Sequence, residues 1–346
     1  MDLAQSVLAG DRLALARTLS LVENGTAEGK SALNTLFPHT GKAHLVGVTG
    51  ASGTGKSSLV NQLARYYRQP SQGEQPRQVA IVAVDPTSPF TGGAILGDRI
   101  RMRDLSGDPG VFIRSMATRG SLGGIASATS AVVQVLDAAG YDLVLIETVG
   151  AGQSEIDIAR LAHTTIVVEA PGLGDDIQAI KAGIMEIADV LVVNKADLPG
   201  VENTERALRG SLSLSHPLAQ RMLHHGKLVT LSAQPAAPST EELVWIPIIL
   251  RTVALDGTGI PALAEAIANH RAYLQSTGSW QLRERWRLQT ELDLLLQNTL
   301  VASFRSSLPA GTYERVLEDL LERRVSPFEA VERLVDGAGR AAEEVV

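Results

Sequence analysis

Gly50-Ala51-Ser52-Gly53-Thr54-Gly55-Lys56-Ser57 decides the fold. The octet lies between an apolar run ending at Val48 and a helical pattern starting near Ser57, which is the strand, loop and helix setting of a phosphate-binding loop. Gly50, Gly53 and Gly55 let the backbone curl so that successive N–H groups face one anion, and the following helix offers its positive end to the same anion. A cation in the first turn of a helix opposes that dipole, so Lys56 makes physical sense with a phosphate between the two. Ser57 supplies a hydroxyl suited to Mg²⁺, and Ser52, Thr54 and Ser58 complete the expected nucleotide contacts.

Outward from this loop, short apolar runs alternate with helical stretches at 44–48, 78–84, 111–114, 141–146, 164–168, 190–193 and 246–253. Continuous apolar strands between helices predict an α/β fold with a mostly parallel sheet covered on both faces. This pattern assigns 41–274 to a P-loop domain, 1–40 to an N-terminal helical extension and 275–346 to a C-terminal helical region. In the N-terminal extension, apolar periodicity from Leu3 to Val22 breaks at Gly10-Asp11. Asp11 is expected to cap the second helix there, and Asn24-Gly25 to end it. In the C-terminal region Leu288, Leu292, Leu295, Leu296 and Leu300 share one stripe of a helix over 280–301, followed by helices over 313–324 and 327–335. Such a stripe either packs on its own domain or pairs with a second copy.

The 346 residues carry 31 Lys and Arg against 38 Asp and Glu, and a net charge of −7 argues against an electrostatic grip on nucleic acid or anionic lipid. With no cysteine, disulfides and thiolate metal ligands are excluded, so metal chemistry must use oxygen or histidine. No apolar run reaches the length needed to span a bilayer, and the first residues lack a signal-peptide pattern. The expectation is a cytoplasmic protein with neither a nucleic-acid nor a membrane partner.

Three acids fall where a P-loop protein keeps its metal and its switches. Asp85 and Glu147 close apolar strands, and Asp98 follows the Gly-rich stretch from Gly92. In Glu147-Thr148-Val149-Gly150 a switch acid precedes a glycine whose N–H can reach a γ-phosphate. Asn194-Lys195-Ala196-Asp197 follows the strand at 190–193 and suits guanine. A carboxylate at Asp197 accepts from both N1–H and the exocyclic amine of guanine, whereas adenine offers an acceptor at N1 and no amine at that edge. The stem of Lys195 would cover the base, and Asn194 would tie this loop to the phosphate loop. A further base contact is expected from the backbone N–H of Ala254, with Leu231-Ser232-Ala233 as the second choice. GTP and GDP with Mg²⁺ are therefore the expected ligands. Gln153 is a weaker candidate for orienting water, since its surroundings also read as a helix start.

Beyond these motifs the sequence resembles the MeaB/ArgK-like P-loop GTPases, a family that includes the human methylmalonic aciduria type A protein. The resemblance rests on Asp85-Pro-Thr-Ser-Pro, Gly93-Ala-Ile-Leu-Gly-Asp98-Arg-Ile-Arg-Met, Ser115-Met-Ala-Thr-Arg-Gly120, Glu147-Thr-Val-Gly-Ala-Gly-Gln-Ser-Glu155 and Pro171-Gly-Leu-Gly-Asp175-Asp-Ile-Gln, and it runs essentially end to end. It implies a homodimeric GTPase chaperone for an adenosylcobalamin-dependent acyl-CoA mutase, gating cofactor loading and protecting or reactivating the mutase. Carried over by position, it implies Lys56 and Ser57 at phosphate and Mg²⁺, Asp85, Asp98 and Glu147 around the metal, and Asn194, Lys195 and Asp197 on guanine. The stretch 171–184 resembles an additional switch whose lysine, here Lys181, approaches the nucleotide beside Lys56 and Glu147; Asp175 is either part of that switch or a helix cap. Two other readings remain. A nickel-insertion GTPase would need a Cys or His cluster, and the sequence offers only His224-His225. A kinase or transport ATPase for basic amino acids conflicts with Asp197.

Overall fold

Strand β1 (His44–Thr49) is buried along its whole length. Such a strand must be apolar on both faces, which is why runs rather than alternation mark the strands of this chain. With β2 (Val79–Pro86), β3 (Val111–Thr118), β4 (Leu143–Thr148), β5 (Thr164–Glu169), β6 (Val190–Val193) and β7 (Ile248–Arg251) it forms a seven-stranded sheet ordered β3-β2-β4-β1-β5-β6-β7. Every pairing is parallel. The computed structural model describes residues 2–69, 75–86, 102, 104–105, 107–118, 124–148, 154–172, 182–215 and 244–343.

Helices α1 (Leu3–Leu8), α2 (Arg12–Glu23), α3 (Ala27–Leu36), α4 (Lys56–Arg68), α5 (Gly124–Ala138), α6 (Ser154–Leu161), α7 (Ala182–Ile187), α8 (Val201–Ser215) and α9 (Ile260–Ser276) accompany the strands. On one face Val46, Val48, Ile166 and Val190 meet Leu59 and Leu63 of α4 and Leu263 and Ile267 of α9. On the other, Leu45, Val82, Val144 and Ile146 meet Leu15 and Leu19 of α2 and Val132 and Leu136 of α5. The chain first crosses from β1 to β2 over the place later taken by β4, then adds β5 to β7 beyond β1's other side. The strand order therefore reverses at β1, and the crevice beyond its carboxyl end is where an open α/β sheet receives a ligand.

Local chemistry explains the N-terminal elements. The Asp11 carboxylate accepts from Leu13 N at 2.8 Å and Ala14 N at 3.2 Å, capping α2 as its sequence suggests. Asn24-Gly25 ends α2, but α3 follows at once, because the Thr26 hydroxyl accepts from Gly29 N at 3.0 Å and restarts the helix. The buried Asp137 carboxylate takes the N–H groups of Gly41, Lys42 and Ala43 at 2.6–3.1 Å, fixing the entry to β1.

Residues Met1–Leu288 form one compact unit and Gln289–Val346 a second. The second comprises the later part of α10 (Ser279–Ser307) with α11 (Thr312–Leu321) and α12 (Pro327–Glu343). Within it Phe304, Val316, Leu320, Ala330 and Leu334 line an apolar groove, and Asp319 pairs with Arg324 and Arg333. Leu292, Leu295, Leu296 and Leu300 of the leucine stripe remain 64%, 45%, 51% and 59% exposed. Among the described residues no helix is long and apolar enough to cross a membrane.

Candidate nucleotide site

The loop between β1 and α4 is held in its curl by positions that only glycine fills. Gly50 has φ +136°, and a Cβ there would lie 2.1 Å from the Val168 carbonyl oxygen. Gly55 has φ +92°, and a Cβ there would lie 2.4 Å from Asn194 Nδ2. Lys56, 5% exposed, curls back over the loop and donates from Nζ to the carbonyls of Gly50 and Ala51, both at 2.9 Å. Thr54 is fully buried and donates its hydroxyl to Ala51 O at 3.0 Å. Ser52 and Gly53 in the loop, and Ser58 in the first turn of α4, are exposed.

Glu147, the penultimate residue of β4, lies directly opposite Val48 and is 5% exposed, and its Oε1 accepts from the Ser57 hydroxyl at 2.5 Å. A charge-assisted O–H···O⁻ bond of that length couples the first turn of α4 to the end of β4. The sheet thus brings Glu147 to Ser57, ninety residues away in sequence and next to Lys56. Asp85 lies near the carboxyl end of β2, paired with Ala117 of β3, and its side chain lies outside the described residues. Asp98, Gly150, Gln153, Asp175 and Lys181 also lie outside them. The donor set that is described, a hydroxyl and a carboxylate with oxygens 2.5 Å apart, is of the hard type Mg²⁺ selects.

Asn194, 1% exposed, stitches three loops together with one side chain. Its Nδ2 donates to Thr54 O at 2.8 Å, while its Oδ1 accepts from Thr252 Oγ1 and Ala254 N, both at 3.1 Å. The phosphate loop, the loop after β6 and the loop after β7 therefore share one hub. Lys195 follows with φ +54°, a left-handed conformation costing a non-glycine residue roughly 1 kcal/mol, and its Nζ donates to Gly53 O at 2.8 Å. That lays its alkyl stem across the phosphate loop, and Asp197, two residues on, is exposed. The Ala254 N–H, the expected second base contact, is engaged by Asn194, so a guanine carbonyl would have to share or displace that acceptor. Thr252, fully buried, is a site residue that sequence reasoning missed. Its role appears only once β7 pairs with β6 and sets Arg251 beside Val193. The alternative Leu231-Ser232-Ala233 lies outside the described residues.

Comparison with known proteins adds a lineage to this geometry. Residues 15–308 match the family described as methylmalonyl Co-A mutase-associated GTPase MeaB. A provisionally named GTPase of Pyrococcus abyssi (strain GE5 / Orsay) is 39% identical over 346 residues, 99% of each chain. The GTPase ArgK of Escherichia coli (strain K12) is 35% identical over 335 residues, 90% of this chain and 94% of that one. Among solved structures, the LAO/AO transport system kinase superposes with a TM-score of 0.62 at 25% identity, covering 96% of this chain and 95% of that one.

Proposed function

Since this chain belongs to the MeaB family of methylmalonyl-CoA mutase-associated GTPases, we propose that its GTP hydrolysis serves an adenosylcobalamin-dependent acyl-CoA mutase. The chain is a GTPase with the P-loop GTPase fold. On our reading it acts as a chaperone that gates cofactor loading and protects or reactivates the mutase, as a homodimer paired through residues 275–346. The exposed leucines of α10 support that pairing. The observation that carries the partner is the family match across 15–308; the one that supports guanine is the hub at Asn194, which ties the loop carrying Asp197 to the phosphate loop.

In the proposed site the backbone N–H groups of 50–57 and Lys56 hold the phosphates, with Ser52, Thr54 and Ser58 around them. Lys195 covers the base, Asp197 reads its N1–H and amine, and Ala254 N–H reads its carbonyl. Ser57 and Glu147 would hold Mg²⁺, with Asp85 and Asp98 as further acids and Gly150 and Lys181 approaching the γ-phosphate. Bound there, the ion supplies neutralisation of charge on the phosphate oxygens. Water attacks the γ-phosphate, and the chain contributes alignment and the positive charge of Lys56 as negative charge gathers on the leaving oxygen. A slow intrinsic rate, completed by a partner, suits such a switch.

The test is GTP hydrolysis with Mg²⁺, alone and with a purified cobalamin-dependent mutase from the same source, with ATP as control. Stimulation by the mutase with ATP inert is the expected result. Turnover indifferent to every candidate mutase removes the partner and leaves the GTPase, and a preference for ATP removes the base-reading role of Asp197.

A further inference from the structure

Two hydroxyls at the carboxyl ends of β1 and β4 have no part in the roles assigned above. Val48 pairs with Glu147, which places Thr49 beside Thr148 one position further on. The Thr148 hydroxyl donates to Thr49 Oγ1 at 3.1 Å, with Thr49 fully buried and Thr148 4% exposed. Between Leu45 and Val48, and between Leu143 and Ile146, the same two strands carry no polar side chain.

Packing does not call for this pair. Valine has nearly the shape of threonine and suits a buried strand at least as well. Burying a hydroxyl costs about 1–3 kcal/mol, and a neutral hydrogen bond returns roughly 1. On stability alone, a valine pair would do as well or better. Position offers a reason that packing does not. Neighbouring residues on a strand point to opposite faces, so Glu147 and Thr148 reach to opposite sides of the sheet. Glu147 holds Ser57, just after the phosphate loop; Thr148 holds Thr49, just before it. Two consecutive residues of β4 thus clamp both stems of the loop.

We propose that the Thr148–Thr49 hydroxyl pair is a positioning device for GTP hydrolysis, keeping the entry of the phosphate loop in fixed register with the strand that delivers Glu147. The proposal rests on the phosphate site reading above. It assigns the pair an effect on turnover rather than on affinity, because the groups that bind the nucleotide stay in place when one hydroxyl is lost.

The experiment compares Thr148→Val, Thr49→Val, the double variant and Thr148→Ser in Mg²⁺-dependent GTP hydrolysis at saturating GTP, with GDP affinity and thermal midpoint measured in parallel. Each valine variant is expected to lower kcat roughly tenfold with GDP affinity held within about twofold, while the midpoint falls modestly in the single variants, each of which leaves one buried hydroxyl without its partner, and recovers in the double variant. The double variant should be no slower than the worse single one, and Thr148→Ser, which keeps the hydroxyl, should restore most of the rate. Turnover within about twofold of the unmodified protein in both single valine variants overturns the proposal. So does a loss of kcat matched by equal losses of GDP affinity and midpoint, which would make the pair structural. Unmodified protein that hydrolyses GTP, but keeps its rate when Lys56 is replaced, fails the site reading instead and leaves the hydroxyl measurements to stand separately.

Discussion

At the carboxyl edge of the sheet Lys56 and Asn194, 5% and 1% exposed, lean on loop backbone, while at the amino edge His44, His163, His270 and Asp189 lean on one another. His163 Nδ1 accepts from Leu45 N at 3.0 Å, so its proton sits on Nε2, which donates to Glu284 at 2.6 Å. Trp280 stacks on the same ring at 3.9 Å. The Thr164 hydroxyl bridges His44 Nε2 and His270 Nδ1, each at 2.8 Å. Asp189 accepts from Thr165 N and from both ends of the Arg283 guanidinium, at 2.7–2.9 Å. That edge answers charge with opposite charge and locks the start of α10 to the roots of β5 and β6. At the nucleotide edge the Lys56 ammonium donates to the Gly50 and Ala51 carbonyls, and the loops are shaped by positive φ at Gly50, Gly55 and Lys195. One edge is closed by its own side chains, and the other is shaped to be completed by an anion.

Substitution at each edge should separate the two designs. Lys56→Ala is expected to lower GTP turnover by about 10²–10³-fold, the scale of removing one electrostatic stabiliser of the transition state, while the thermal midpoint holds or rises. Unchanged turnover would sink the site. Asp189→Asn should do the reverse, costing about 3 kcal/mol of stability by breaking a buried ion pair, with turnover kept within about twofold at temperatures where the protein is folded. Urea unfolding and single-condition GTP assays on both variants check this. If each variant damaged both properties alike, the contrast between the edges would be wrong.

How far the sequence foretells these edges differs for the same physical reason. The seven strands are legible because each contains a short apolar run between helical stretches, and the phosphate loop because its glycines, lysine and serine are contiguous. Asn194 and Asp197 are legible for the same reason. Thr252 and the Thr49–Thr148 pair become site residues only through strand register, which no local spacing encodes. The amino-edge cluster draws on His44, His163, Asp189, His270 and Arg283, scattered with no period along most of the chain. Helix α3 escapes because Asn24-Gly25 reads as a stop and its own sequence, Ala-Glu-Gly-Lys-Ser-Ala-Leu-Asn-Thr-Leu, carries few apolar residues.

The smallest expected effect, and the most specific to the amino edge, is the dependence of stability on pH. Burial holds the His44 pKa well below 6.5 and lowers that of His163, whose Nδ1 lone pair is already taken by Leu45 N–H. In the unfolded chain both histidines take up protons as pH falls through 6.5, whereas the folded protein resists until lower pH. Between those points the unfolded state binds more protons, so stability falls as the solution is acidified from neutrality. Asp189 and Glu284 act in a separate window. Their hydrogen bonds to His270 and Arg283, and to His163 and Arg287, outweigh the burial that would raise their pKa, leaving each at about 2. The stability these carboxylates contribute is present above their ordinary values of 3.8 and 4.5 and is lost as pH falls toward about 2. Urea midpoints recorded across the acid range should therefore decline in two stages, the first beginning near 6.5 and the second below 4.5. His163→Gln should shrink the first stage and leave GTP turnover at neutral pH unchanged. A midpoint flat from neutrality down to the carboxylate range would mean that the histidines are protonated in the fold, and that the amino edge is held by charge where the Leu45 N–H bond requires neutrality.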